Sequence, residues 1–174
     1  MTLERSFGFP PVARFDARVL ILGSLPGQAS LAARQYYAQR HNAFWPTMGR
    51  LFCAGLDHDY AERLRRLTQS GVALWDVCAS AKRPGSLDQK IDASSVAPND
   101  FDSFFDAHRR IALIFFNGAA AERLYLSLVI PTLAARAARI ATKRLPSTSP
   151  AHASLSLEEK LAAWEEVRRA AGSL

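Results

Sequence analysis

Apolar residues in this chain fall into short unbroken runs, set apart by longer stretches in which they recur every three or four positions. Ala17-Arg18-Val19-Leu20-Ile21-Leu22, Val72-Ala73-Leu74-Trp75-Asp76-Val77-Cys78 and Ile111-Ala112-Leu113-Ile114-Phe115-Phe116 have the length and side chains of buried strands. Ala138-Arg139-Ile140-Ala141-Thr142 is a weaker fourth run. Between the runs the pattern turns helical. Over 58–70, Ala61, Leu64 and Leu67 are apolar, Arg63, Arg65 and Arg66 are polar, and Gly71 is the stop. Residues 30–41 and 44–54 are helix-like but interrupted. Asn99 stands as an N-cap for a helix over 100–108, and 119–130 return to helix. Ser156 with Glu159 forms a capping box that opens a last helix to about Ala171. An irregular lead over 1–16, a polar stretch over 79–98 and a stiff loop over 145–153 read as connections.

Continuous apolar strands, rather than alternating ones, imply a sheet covered on both faces. The expected fold is therefore α/β, a three-layer α/β/α sandwich around a central, mainly parallel, four-stranded sheet, in one domain over 1–174. Ligands of such sheets bind beyond the carboxyl ends of the strands. Chemistry is to be sought at 23–27, 76–83, 117–118 and 145–153.

Composition narrows the classes. Hydrophobic residues at 49% and charged residues at 22% are globular values and argue against global disorder. No apolar run approaches the roughly 20 residues of a membrane-spanning helix. Met1-Thr2-Leu3-Glu4-Arg5 has no apolar signal-peptide segment, so a cytoplasmic, reduced setting is expected. Cys53 and Cys78 sit in apolar sequence, and His41, His58, His108 and His152 are scattered, so neither a disulfide framework nor a metal site is expected. The net charge of +6 comes from 18 Arg and only 4 Lys. Arg presents a planar fork suited to phosphates and base edges, while an Arg-rich, Ala-rich chain is equally what a GC-rich genome produces.

Four segments carry candidate chemistry. Gly23-Ser24-Leu25-Pro26-Gly27 follows a strand, and exposed amides in such a turn can bind an anion. It is neither a Walker loop nor a nucleophile elbow, because the trailing Gly-Lys is absent and Leu22 stands where the elbow needs Gly. Pro146-Ser147-Thr148-Ser149-Pro150 sets three hydroxyls between two prolines, which suits phosphate oxygens. Asn117, at the end of an apolar run, could read a base edge with its donor and acceptor. The stretch from Gln35 to Pro46 is dense in aromatics and amides, and aromatic faces stack bases. Taken singly, each is also an ordinary turn, loop or core segment.

In order and spacing, these motifs resemble the uracil-DNA glycosylase superfamily, and within it the hypoxanthine-DNA (deoxyinosine) glycosylase branch, over about residues 19–170. The resemblance implies a monofunctional, metal-independent and cofactor-free enzyme of base excision repair. Such an enzyme flips a deaminated base (hypoxanthine or uracil) out of double-stranded DNA and hydrolyses its N-glycosidic bond. It assigns Gly23, Ser24, Leu25, Pro26 and Gly27 to the water-activating motif, Ser24 and Leu25 lying against the base. Pro146, Ser147, Thr148, Ser149, Pro150 and His152 fall to the minor-groove loop that intercalates and pinches the DNA backbone, Asn117 to base reading, and Phe44 to stacking on the base. Leu25 departs from the Asp or Asn that many members carry there, and leucine cannot orient water. The resemblance nominates Asn42 for that task. His152 stands where Asn is expected. Partners are then DNA alone, with a monomer associated with the nucleoid. Two other readings stay open: a non-catalytic binder of damaged DNA with the same fold, and a small-phosphate hydrolase with Asp76 as its acid.

Overall fold

The computed structural model describes residues 5–172; the first four residues of the expected lead and signal-free terminus lie outside them. Among the described residues, seven strands and seven α-helices follow in chain order. The strands are β1 (Arg5–Phe7), β2 (Val19–Gly23), β3 (Val72–Asp76), β4 (Cys78–Lys82), β5 (Ala97–Pro98), β6 (Leu113–Asn117) and β7 (Ala141–Leu145). The helices are α1 (Gln28–Ala33), α2 (Phe44–Phe52), α3 (Tyr60–Gln69), α4 (Phe101–Ala107), α5 (Ala119–Leu124), α6 (Ala135–Ala138) and α7 (Leu157–Ala170).

The central sheet has the order β3-β2-β6-β7, every pair parallel. Alternate residues of its inner strands feed two separate cores. Val19, Ile21 and Phe115 pack with Phe44, Met48, Leu67 and Trp164, under α2, α3 and α7. Leu20, Leu22, Ile114 and Phe116 pack with Phe101, Phe105 and Leu124, under α4 and α5. Both faces being covered is why these strands carry no polar alternation. The edge strand β7 is different. Four of its five residues are exposed, and Lys143 and Arg144 pair with Glu166 and Glu122. Charge on an edge strand discourages pairing with another chain.

Several elements differ from the sequence expectation. Residues 79–98 are not one long loop. They hold β4 and β5, which with β1 make a small antiparallel sheet in the order β1-β4-β5. Cys-Ala-Ser-Ala-Lys has no strand signature of its own, and the pairing imposes it. The fourth run forms strand only from Ala141, because its exposed edge needs no apolar code. Helix α1 stops at Ala33, where Arg34 turns left-handed, and 34–43 are irregular. Beyond Leu124 the helix over 119–130 continues as a π turn over Tyr125–Val129. Asp100, not Asn99, caps α4, through the amide of Ser103 at 3.1 Å. Cys53 is exposed at the end of α2, although its sequence neighbours are apolar. The capping box of Ser156 and Glu159 is present as expected.

Candidate active site

A cleft of about 570 Å³ opens at the carboxyl ends of the parallel strands. Twelve of the fourteen residues singled out in the sequence line it: Gly23, Ser24, Leu25, Pro26, Gly27, Asn42, Asn117, Ser147, Thr148, Ser149, Pro150 and His152. Phe44 and Pro146 do not.

The turn after β2 forms the inner wall. All five of its carbonyls are occupied by the protein. Those of Gly23 and Ser24 accept from the amides of Val77 and Cys78, at 2.9 and 3.0 Å. Leu25 and Pro26 accept from the two terminal nitrogens of Arg83, and Gly27 accepts from Leu31. The amides of Ser24, Leu25 and Gly27 donate to nothing among the described residues, so the turn keeps donors for an anion or a base carbonyl. Gly23 must be glycine, since an added Cβ would lie 2.3 Å from Asp76 Oδ1 and 3.1 Å from the Tyr37 hydroxyl.

Asn42 lies on the rim, just before α2. Its Oδ1 accepts from the amide of Phe44 at 2.9 Å, which fixes the side chain. An amide oxygen has two lone pairs, so one acceptor site remains, and Nδ2 makes no hydrogen bond among the described residues. The next amide, that of Ala43, donates to Thr148 O at 2.9 Å. Thr148 is thus tied to the Asn42 segment and, more tightly, to Asn117. Asn117 Nδ2 donates to Thr148 Oγ1 at 2.8 Å, and its Oδ1 accepts from Thr148 N at 2.9 Å. One bond at each end of the Asn117 amide holds the 145–153 loop against the sheet, which leaves one N–H and one lone pair of that amide. Pro146 serves the same end from outside the cleft, its carbonyl accepting from Trp164 Nε1 at 2.9 Å.

Phe44 is fully buried. Tyr37, at φ 55°, stacks on it with ring centroids 3.9 Å apart, and Tyr37 lines the cleft. The aromatic face offered to a ligand is therefore that of Tyr37. The paired tyrosines of the Gln35-Tyr36-Tyr37 segment were its only trace in the sequence.

Two acids complete the floor. Asp76, at the end of β3, is 4% exposed, and its Oδ2 has no partner. Burial, and then the nearby charge of Asp88, push its carboxyl up to about 7. Asp88 accepts from Ser24 Oγ at 2.6 Å and stands 3.6 Å from the buried guanidinium of Arg83. Burial raises Asp88 as well, opposed by that hydrogen bond and by Arg83 and Arg123. Arg123 is the only Lys or Arg among the described residues that line the cleft. No cluster of three His, Cys, Asp or Glu suited to a metal ion occurs among the described residues.

Comparison with known proteins gives this geometry its family. Residues 10–168 match the family model described as the uracil DNA glycosylase superfamily. The chain belongs to that superfamily. It is 36% identical over 160 residues to a protein of Methanosarcina barkeri named hypoxanthine DNA glycosylase, covering 91% of this chain and 95% of the other. A Methanosarcina acetivorans protein of the same name is 36% identical over 163 residues, covering 93% and 97% of the two chains. A solution NMR structure from Methanosarcina acetivorans, described as a candidate uracil DNA glycosylase, superposes with a TM-score of 0.79 at 34% identity. It covers 97% of this chain and 99% of that one. Membership in the superfamily fits the three-layer fold and the cleft at the strand ends. No helix among the described residues is long and apolar enough to cross a membrane.

Proposed function

We propose that this superfamily member excises a deaminated base, hypoxanthine first, from duplex DNA by hydrolysing its N-glycosidic bond. The observation that carries the proposal is the Asn42 amide on the rim, held by its own helix start beside a turn with free amides. The C1′–N bond breaks with its electron pair going to the base, and the oxygen of water bonds to C1′. One proton of that water is released, and the departing base takes up a proton. Positive charge grows on the sugar, so no strong base is needed if the water is placed and the leaving group is held. The free lone pair of Asn42 orients the water, a task that Leu25 cannot perform. Tyr37 offers the face on which the base stacks, and the loop residues Ser147, Thr148, Ser149, Pro150 and His152 meet the DNA backbone. Base reading falls to the remaining N–H and lone pair of Asn117 and to Asp76, whose neutral carboxyl donates to a base carbonyl.

This role gives a sign to the pH dependence. A donor needs its proton, and Asp76 holds it below about 7. Single-turnover excision is expected to fall as pH rises through that value. Asp76→Asn, a permanent donor, is expected to flatten the profile while staying within about tenfold of the acid-limb rate. An unchanged slope in the variant would refute the assignment. Stability runs the same way. A folded value raised above the unfolded one means that stability present at low pH is lost between about 4 and 7.

Binding should also weaken with salt, with a log–log slope of about −0.9 per phosphate contacted. A salt-independent affinity would remove the phosphate role of the 147–149 loop. Eight of the 18 Arg side chains lie on helices, and Arg65, Arg66 and Arg168 are paired with acids there. Net charge then aids encounter, and neutral hydroxyls and amides hold register.

Duplexes carrying hypoxanthine, uracil or xanthine, scored for alkali-labile sites, test the reading. Abasic product is expected, most rapidly from hypoxanthine. Tight binding with no product from any lesion would instead favour the non-catalytic binder, which the presence of Leu25 makes the specific alternative.

A further inference from the structure

The 145–153 loop holds no Lys or Arg, although charge dominates affinity for a DNA backbone. A cation stands directly behind it, on α7. Lys160 and Trp164 lie four residues apart, on one face of that helix. Trp164 Nε1 donates to the carbonyl of Pro146 at 2.9 Å, at the start of the loop. Lys160 Nζ donates to the carbonyl of His152 at 2.8 Å, at its end. Asn117 holds the middle through Thr148. Lys160 is only 5% exposed. Among the described residues no acid pairs with it, since Glu159 is taken by the capping box and Glu158 by Arg50. Burial lowers its pKa, and the amino end of a helix disfavours a cation. A neutral donor would tie down the loop without either penalty, so the charge itself has a use.

The peptide that Lys160 holds shows what that use is. Every peptide bond among the described residues is trans, so the carbonyl of His152 and the N–H of Ala153 point in opposite directions. With the carbonyl turned onto Lys160, the N–H is turned away from α7. Ala153 is exposed, and its amide donates to nothing among the described residues. The amide of His152 donates to the carbonyl of Ser149 at 3.0 Å, which closes the turn just before this peptide and fixes its direction. A cation bonded to the carbonyl end of a peptide polarises the N–H at the other end. Such an amide is a stronger donor to an anion than an ordinary one.

We propose that Lys160 is a positioning residue for one phosphate of the DNA backbone, its charge acting through the His152–Ala153 peptide so that the free Ala153 amide receives the phosphate oxygen. For its ligand this rests on the glycosylase reading above. Lys160 touches no DNA. It aims one donor of the loop and charges it from behind, while the hydroxyls of Ser147 and Ser149 stay neutral.

Binding of the full chain is measured on hypoxanthine-bearing duplexes in which each phosphate near the lesion is replaced in turn by an uncharged methylphosphonate. The parent is expected to lose about tenfold in affinity at one such position. Lys160→Met, similar in length but uncharged, is expected to bind the unmodified duplex about tenfold more weakly and to be indifferent to methylphosphonate at that position. Lys160→Gln keeps a donor for the His152 carbonyl without the charge. It is expected to match Lys160→Met, and it carries the test if Lys160→Met does not fold. Undiminished sensitivity to that phosphate in the variants overturns the proposal and leaves Lys160 a tie for the loop. Parent-like affinity of Lys160→Gln overturns it as well, as does a parent indifferent to every methylphosphonate. Excision by the parent is followed on the same duplexes. Coupling at one phosphate without abasic product would refute the glycosylase reading alone, because holding a phosphate requires no bond to break.

Discussion

Asn42→Ala should lower single-turnover excision by about 10²–10³-fold, the scale on which losing one preorganised polar group acts. The fold should survive. Asn42 is partly exposed at the start of α2, and its side chain serves one backbone amide, that of Phe44. Replacing such a cap costs roughly 1 kcal/mol. Loss of rate with an almost unchanged melting temperature is therefore the signature of a residue that touches the reacting water. Asn42→Asp sharpens the test, because a carboxylate keeps the acceptor and the cap. That variant should recover much of the rate. Full excision by Asn42→Ala would move the water to another group in the cleft.

A second large effect is expected at Arg83, and it is an effect on stability. Arg83→Ala removes the donors from three backbone carbonyls at once and leaves Asp88 without its buried cation. An unsatisfied buried polar group costs about 1–3 kcal/mol, so a total on the order of 3 kcal/mol or more is expected. For a chain of this size each kcal/mol moves the melting temperature by about 2–4 °C, which predicts a fall of about 10 °C. Thermal unfolding monitored by circular dichroism checks it. A shift below about 2 °C would show that the turn after β2 holds its shape without the guanidinium. Arg83→Lys should recover only part, since one ammonium cannot span the same fork of acceptors.

The sequence reading reached the four-stranded sheet and most of the cleft because both are written in local patterns. The inner strands are apolar at every position, and the turn and loop carry Gly and Pro at their ends. It missed what depends on distant pairing. β4 is small and partly polar, and it becomes a strand only because β1, some seventy residues earlier, lies beside it in register. The burial of Phe44 escapes the sequence for a related reason. Stacking by Tyr37 from a left-handed turn covers the Phe44 ring, and no spacing rule foretells that backbone angle. Asn117 was correctly placed at the strand end, but its partners lie thirty-one residues away, in a loop whose path is set by the whole sheet. Asp76 and Asp88 look like ordinary acids in the sequence. Burial first, and then the charges that the fold sets beside them, change their character, and both are properties of the assembled fold.

Thr148 links two tasks usually measured apart. It sits in the loop proposed to grip DNA, and it also accepts from the amide adjoining Asn42. On the proposed roles, grip and chemistry share one mechanical joint. A strand that seats poorly in the loop would shift the water-bearing amide as well, so a bad fit would be registered as slow turnover rather than only as weak attachment. Asn42→Ala and Asn117→Ala, the second freeing Thr148 from the sheet, should then fail to combine independently in a double-mutant cycle. Through that joint, discrimination against undamaged DNA can be exercised after contact has been made, on the rate of the reaction itself.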